Sequence, residues 1–225
     1  MAVDGFIIPI DAQVPEQQRE LIVEIPRWIS SEDYILNRLA YFRQRGIRKA
    51  YCNSLSAIAL ARQAGLAVMG GNFLNVANSE AVAVVGTLGA EEVCVSAELT
   101  FNQINMISSE LPLGIIGYGR IPLMLLRNCP LKNGRSCREC DRRGYLEDRK
   151  GTHFPIRCQF GISELLNSVP VWLADQQADI RNVDFLILYF TTESRMEAME
   201  VVKAYQENRQ AEMPFTRGLY YRGVL

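Results

Sequence analysis

Residues 49–70 read KAYCNSLSAIALARQAGLAVMG, and this stretch decides the fold. Lys49–Cys52 is a short apolar run of strand length. Ser54 to Ala64 has helical character and opens on a residue suited to an N-cap. Gly65 closes that helix, and Leu66-Ala-Val-Met69 is a second strand. A strand, a helix and a strand joined by tight connections form a parallel pair with a right-handed crossover. Working outward, the unit repeats. Upstream lie the apolar runs Phe6–Ile10 and Leu21–Ile25. Ser30-Ser-Glu-Asp33 follows as a helix start, its early acids complementing the helix dipole, and leads into a stripe of Tyr34, Ile35, Leu36, Leu39, Ala40 and Phe42 that Gly46 terminates. Downstream, a helix from Ser79 to Leu88 ends at Gly89. The strand Glu92–Ser96, a helix from Thr100 to Ser109 and the strand Leu113–Gly117 come next. Val169–Leu173 and Phe185–Phe190 are further strand candidates, and a last helix is expected from about Ser194 to Asn208.

Seven or eight helix-separated strands predict an α/β fold, a TIM-type (β/α) barrel or most of one, with a Cys-bearing insertion after the sixth strand. Residues 1–19 are expected as an initial strand and linker, and residues 20–225 as the barrel domain, with the Cys-rich insertion spanning 120–160. No G-x-G-x-x-G follows the first strand, so dinucleotide binding of that type is unsupported.

Composition bounds the function classes. The chain has 225 residues, 48% apolar and 22% charged, which is the ordinary globular range. Lys and Arg number 24 and Asp and Glu 25, for a net charge of −1, so a protein basic over its whole surface is excluded. No uninterrupted apolar run reaches the ~18 residues of a membrane span. MAVDGFIIPIDAQ lacks the basic start of a secretory signal, and a cytoplasmic location is expected. There is one histidine, His153, which leaves little room for His-rich metal sites or a Ser-His-Asp triad. Neither H-E-x-x-H nor G-x-S-x-G is present.

The six cysteines divide into two kinds. Cys52 and Cys94 sit within apolar strands and read as buried small hydrophobes. Cys129, Cys137, Cys140 and Cys158 follow a C-x7-C-x2-C-x17-C spacing. Without an export signal this pattern favours metal ligation over disulfides, and four thiolates suit tetrahedral zinc or an iron–sulfur cluster. From Arg127 to Cys158 nine Lys or Arg face four acids, a surplus of five positive charges, while the rest of the chain is net −6. Positive charge beside thiols favours the thiolate and offers a docking site for an anion.

In a barrel, function gathers on the loops after the carboxyl ends of the strands. That rule selects Arg27, Asn53, Asn72, Asn75, Glu98, Tyr118, Arg120 and Glu193. Glu98 and Arg120 are the catalytic candidates; Arg27, Asn53, Asn72, Asn75, Tyr118 and Glu193 are expected to contact a polar, carboxylated ligand. Ser54, Asn78 and Ser79 stand at the same loops, where helix capping explains them equally well. The Cys insertion leaves from the sixth strand through Arg120-Ile-Pro-Leu-Met124, which assigns the thiolates to the same mouth.

Gly71-Asn-Phe-Leu-Asn75, Asn78-Ser79, Val95-Ser-Ala-Glu-Leu99, Gly117-Tyr-Gly-Arg120 and Arg127-Asn-Cys129-Pro130 together resemble the collagenase-like peptidase family, the U-thirty-two class. His153-Phe-Pro-Ile-Arg-Cys158, Leu166-Asn-Ser168, Phe190-Thr-Thr-Glu-Ser194, Thr216-Arg-Gly218 and Tyr221-Arg-Gly-Val224 continue the likeness. The resemblance covers nearly everything from Ile22 onward and matches the second part of larger members, so a missing amino-terminal portion or a partner subunit is an expected partner. It implies a TIM-type barrel. It also implies oxygen-independent hydroxylation of RNA bases or of a quinone ring, with a four-iron (4Fe-4S) cluster held by four cysteines and prephenate as the hydroxyl source. Collagenase-like peptidase activity and a zinc-stabilised binding barrel are the alternatives. Cys129, Cys137 and Cys158 match three of the family's ligand positions. The family's remaining ligand falls seven residues before Cys129, where this chain has Pro122, and Cys140 is expected to substitute.

Overall fold

The computed structural model describes residues 3–14, 20–132, 137, 140, 144–159 and 161–222. They divide into two compact units. The first holds residues up to Ile115, with Ala178–Leu186 and the chain from Leu219; the second holds Ile116–Gln177 and Ile187–Gly218.

In the first unit the repeat is built as the glycines and caps dictate. Strands β1 (Phe6–Pro9), β2 (Leu21–Ile25), β3 (Lys49–Cys52), β4 (Ala67–Gly70), β5 (Ala90–Cys94) and β6 (Leu113–Gly119) are parallel and adjacent in chain order. Helices α1 (Glu32–Gln44), α2 (Leu55–Gln63), α3 (Ser79–Thr87) and α4 (Phe101–Asn105) follow β2 to β5. This is the α/β order of a half-barrel. Ser31, Ser54, Asn78 and Thr100 each accept the first free N–H groups of their helix. Gly65 and Gly89 turn the chain out of α2 and α3 with φ of 71° and 101°, a conformation costly for any residue carrying a Cβ. Arg43, in the last turn of α1, donates to Ala64 O at 3.2 Å, and Arg62 of α2 donates to Leu88 O at 3.1 Å. Helices α1 and α2 therefore each supply a cation to the carbonyl end of the next.

Parallel strands covered on both faces have near-continuous apolar sequences. Val23, Ala50, Cys52, Val68, Val93, Cys94 and Ile115 are buried accordingly. Ile35, Leu39 and Phe42 of α1, spaced by four and three residues, make one buried stripe, each side chain worth ~1.5–3 kcal/mol.

The structure departs from expectation after β6. The insertion contains strands β7 (Pro122–Leu126), β8 (Tyr145–Glu147) and β9 (His153–Gln159), and β10 (Ile162–Leu166) follows it. They form a separate antiparallel sheet in the order β7-β10-β9-β8. Strand β11 (Val171–Trp172) pairs antiparallel with β6, Trp172 opposite Tyr118. A parallel partner needs a crossover. Strand β6 is linked to β11 through the antiparallel sheet instead of a helix, and β11 runs against β6. Strand β12 (Phe185–Tyr189) also pairs with β6, and α5 (Arg195–Gln206) closes the second unit. Among the described strands β1 has one sheet neighbour, β2, and the ring is open there. No helix among the described residues is long and apolar enough to cross a membrane.

Candidate functional site

Strand pairing sets the thiol geometry. In the antiparallel register Ser163 of β10 stands opposite Cys158 of β9 and Leu126 of β7. Residues directly opposite share a face of the sheet. Cys129 lies three residues beyond Leu126, and its Sγ reaches within 4.0 Å of Cys158 Sγ. Ser163 Oγ lies 3.4 Å from Cys158 Sγ and also hydrogen-bonds Cys129. Burial raises the Cys129 thiol pKa, but the Ser163 hydroxyl, the Leu131 backbone, Cys158 and the Lys132 backbone outweigh it, and the net direction is down. The Cys158 pKa goes up, through burial first and then the adjoining sulfurs of Cys129 and Cys140. Burial and the neighbouring sulfurs thus oppose ionisation of Cys158, as expected of two sulfurs that cannot both carry charge unaided.

Cys140 is half-buried and within electrostatic reach of Cys158. Cys137 is exposed. No group of three or more metal-ligating side chains is assembled among the described residues. Arg135, Arg138, Glu139, Asp141, Arg142 and Arg143, which supplied much of the expected charge, lie outside the described residues. Cys52 and Cys94 differ in kind. Both are fully buried, their Sγ atoms pointing at the carbonyls of Ala50 (3.7 Å) and Val95 (3.8 Å), and burial pushes Cys52 up to about 12 and Cys94 higher still.

Arg157 corrects the sequence reading, which counted it among the charges supporting the thiolates. It adjoins Cys158 in sequence, so its side chain points to the opposite face of β9. There it meets Glu164, its cross-strand partner, through Nε at 2.9 Å and through Nη2, which also donates to Tyr189 Oη at 2.5 Å. His153 shares the face of Arg157; it is stacked on Tyr145 with ring centroids 3.8 Å apart and sits 3.4 Å from Glu147. Five residues of strand at ~3.3 Å each set it roughly 16 Å along β9 from Cys158, which does not make a Cys–His dyad.

Three further candidates belong to the second unit. Tyr118 is buried between Trp172 and Phe190 and donates to Glu193 Oε1 at 3.0 Å. Burial and then the Glu193 carboxylate push the phenol pKa up, so it remains a donor. Glu193 Oε2 accepts the backbone N–H groups of Thr191 and Thr192 at 2.7 and 3.0 Å. Both carboxylate oxygens are engaged, and Glu193 buttresses this turn and Tyr118. Arg120 donates through Nη1 to the carbonyls of Asn167 and Ser168, while its buried Nε makes no hydrogen bond.

The remaining candidates belong to the first unit. Tyr51 Oη donates to Asn72 Oδ1 at 2.9 Å and accepts from the Asn72 backbone N–H at 3.2 Å. Asn53 donates to Glu24 Oε1 at 3.3 Å, and its buried Oδ1 has no hydrogen-bond donor. A Cβ on Gly71 would stand 2.0 Å from that oxygen, so glycine is required for the close approach. Asn75 adopts a left-handed conformation and accepts from Ser96 Oγ at 3.3 Å; Ser96 in turn accepts from the backbone N–H of Glu98. The Glu98 side chain is exposed. The Arg27 guanidinium lies 3.8 Å over the Phe73 ring. Ser54 and Asn78 cap helices, and Ser79 Oγ accepts from Ser108 N–H at 2.9 Å.

The family model described as Peptidase family U32 matches residues 21–156. The chain belongs to peptidase family U32. No curated protein matches it. Among solved structures it is similar to a FabK mutant from Thermotoga maritima, with a TM-score of 0.35 and 17% identity over 45% of this chain. The alignment covers 37% of the FabK chain, so this chain matches little more than a third of that protein's length.

The U32 match takes in Arg27, Asn53, Asn72, Asn75, Glu98, Tyr118, Arg120, Cys129, Cys137 and Cys140, and it ends two residues before Cys158. Sequence reasoning on this U32 chain missed Ser163, Glu164 and Tyr189. Only a register between β9 and β10 would have found them: it puts Ser163 beside Cys158 and Glu164 beside Arg157.

Proposed function

We propose that this U32 chain carries a thiolate-ligated inorganic centre on Cys129, Cys137, Cys140 and Cys158, and that the centre is a 4Fe-4S cluster serving oxygen-independent hydroxylation of an RNA base or a quinone ring. The observation that supports a shared thiolate centre is the 4.0 Å approach of Cys129 and Cys158 with a hydroxyl against both sulfurs; the choice of a cluster comes from the likeness of the cysteine pattern to the family's. A third cysteine, Cys140, is within electrostatic reach of Cys158, and the thiol face of the sheet is separate from the ion-paired face. Bound there, such a cluster supplies one-electron chemistry. The protein's own residues bind and orient. Arg120, with Nη1 committed to two carbonyls and a buried Nε that makes no hydrogen bond, contributes a half-buried positive charge for a carboxylated hydroxyl donor such as prephenate or for a phosphate of RNA. Glu98, Arg27, Asn53, Asn72 and Asn75, at the strand ends of the first unit, are proposed to contact the acceptor, in a cytoplasmic protein of TIM-type barrel fold working with an amino-terminal portion or partner subunit.

One observation favours zinc as a second reading. Tetrahedral zinc with bonds of ~2.3 Å to sulfur sets its ligands about 3.8 Å apart, close to the 4.0 Å seen here. A zinc-stabilised binding module would follow. Peptidase chemistry through a Cys–His pair is disfavoured by the position of His153. Purification without oxygen, with iron, sulfide and zinc assayed and the visible spectrum recorded, separates the readings. A brown protein with about four iron and four sulfide per chain is expected. A colourless protein holding stoichiometric zinc would overturn the cluster and support the module.

A further inference from the structure

The geometry points to Ser163 as a positioning residue of the thiolate centre, its hydroxyl donating to the sulfur of Cys129 or Cys158 when that sulfur ligates the bound group. The inference rests on the thiolate-centre reading above and assigns a role to a residue outside the four cysteines.

Ser163 is 2% exposed, in the middle of the four-stranded sheet. Its neighbours across β9 and β7 are Cys158 and Leu126, so its side chain shares their face. The Oγ atom is 3.4 Å from Cys158 Sγ, where either atom can donate, and in hydrogen-bonding contact with Cys129 as well. A buried hydroxyl is one donor and two acceptor sites, and it seldom goes unpaired. Once the sulfurs lose their protons on ligation they can only accept, and the hydroxyl becomes the donor.

The contrast with Cys52 makes the arrangement specific. The Cys52 sulfur faces a carbonyl oxygen, which can only accept the thiol proton. Cys129 and Cys158 adjoin a hydroxyl, which can donate to negative sulfur. A serine at this cross-strand position holds both sulfurs toward one point from a rigid strand, whereas Cys129 itself sits on a loop beyond β7. Groups that orient ligands from the next layer out commonly contribute ~10–100-fold in metal affinity.

Ser163→Thr and Ser163→Val test this, since threonine keeps the hydroxyl and valine nearly matches its shape without it. Each full-length chain, stripped of metal and reduced without oxygen, is titrated with cobalt(II), reading the sulfur-to-cobalt charge-transfer absorption. Thermal melting of the metal-free chains is read alongside. Threonine is expected to bind cobalt close to the unaltered protein, and valine ~10–100-fold more weakly, with the two metal-free chains melting together. Equal cobalt affinity in the two variants would overturn the role of the hydroxyl. Absence of the charge-transfer band from the unaltered protein would instead overturn the thiolate centre on which it rests.

Discussion

The parallel βα region of the first unit and the antiparallel sheet of the second are stabilised in opposite styles. In the first, the load is spread over a repeat: buried β-strand side chains on both faces, a polar N-cap at each helix start, and an arginine reaching the next helix's carbonyl end. No single side chain dominates such an arrangement. In the second, β7 to β10 carry exposed apolar residues such as Leu123, Met124 and Leu146, bury Ile156, Ile162 and Leu166, and set buried polar groups among them. The Arg157–Glu164–Tyr189 group anchors one face and the Ser163–Cys158–Cys129 group occupies the other. A sheet organised this way keeps one polar group on each face, and one of them adjoins the proposed ligands.

Glu164→Ala should break this contrast if it is mistaken. Glu164 is 5% exposed and its loss leaves the half-buried Arg157 guanidinium without its carboxylate. Removing one partner of such a pair costs ~3–5 kcal/mol, and a value near the lower figure is expected because Arg157 is partly open to water. Urea denaturation of the metal-free chain measures it. A change of a few tenths of a kcal/mol would mean that the antiparallel sheet is not anchored there.

A smaller effect sharpens the comparison through pH. Asp175, just after β11, is held below the usual carboxylate range by hydrogen bonds from Arg217, whose Nη2 lies 2.7 Å from Oδ2. A carboxylate depressed in the folded state stabilises the protein above its unfolded pKa of ~3.9, and that contribution is lost as pH falls through the depressed folded value. Asp175→Asn should therefore be less stable than the unaltered chain at pH 7, with the gap closing below about pH 4. A gap independent of pH down to pH 3, measured as urea midpoints, would contradict the assignment.

The parallel half was legible because each of its signals is local. Ser54 ahead of an apolar helix, Gly65 after it and Leu66–Met69 beyond need no knowledge of distant partners, and the structure reproduces them to within a residue or two. The boundaries slipped where caps compete: α4 stops at Asn105, and Ser108 N–H turns to Ser79 instead of continuing the helix. The antiparallel sheet was not legible. Its strands are short, β8 is only three residues long, and their apolar residues show no clean alternation. The cysteines were visible as a cluster, but which side chains stand beside them depends on a register between segments. That register turned Arg157 away from the thiols and brought the unremarked Ser163 against them. At the strand ends the candidates were legible as polar residues. Their roles as buttresses, as with Glu193 under Tyr118, depend on contacts 75 residues apart in the chain.

The central claim is that Cys129 and Cys158 ligate one inorganic centre. It is tested most directly by metal content per chain after oxygen-free purification of Cys129→Ser, Cys158→Ser and, as control, Cys52→Ser. The account predicts that each of the first two loses the bound metal while remaining folded by circular dichroism, and that Cys52→Ser retains it. Full metal content in both Cys129→Ser and Cys158→Ser would contradict it.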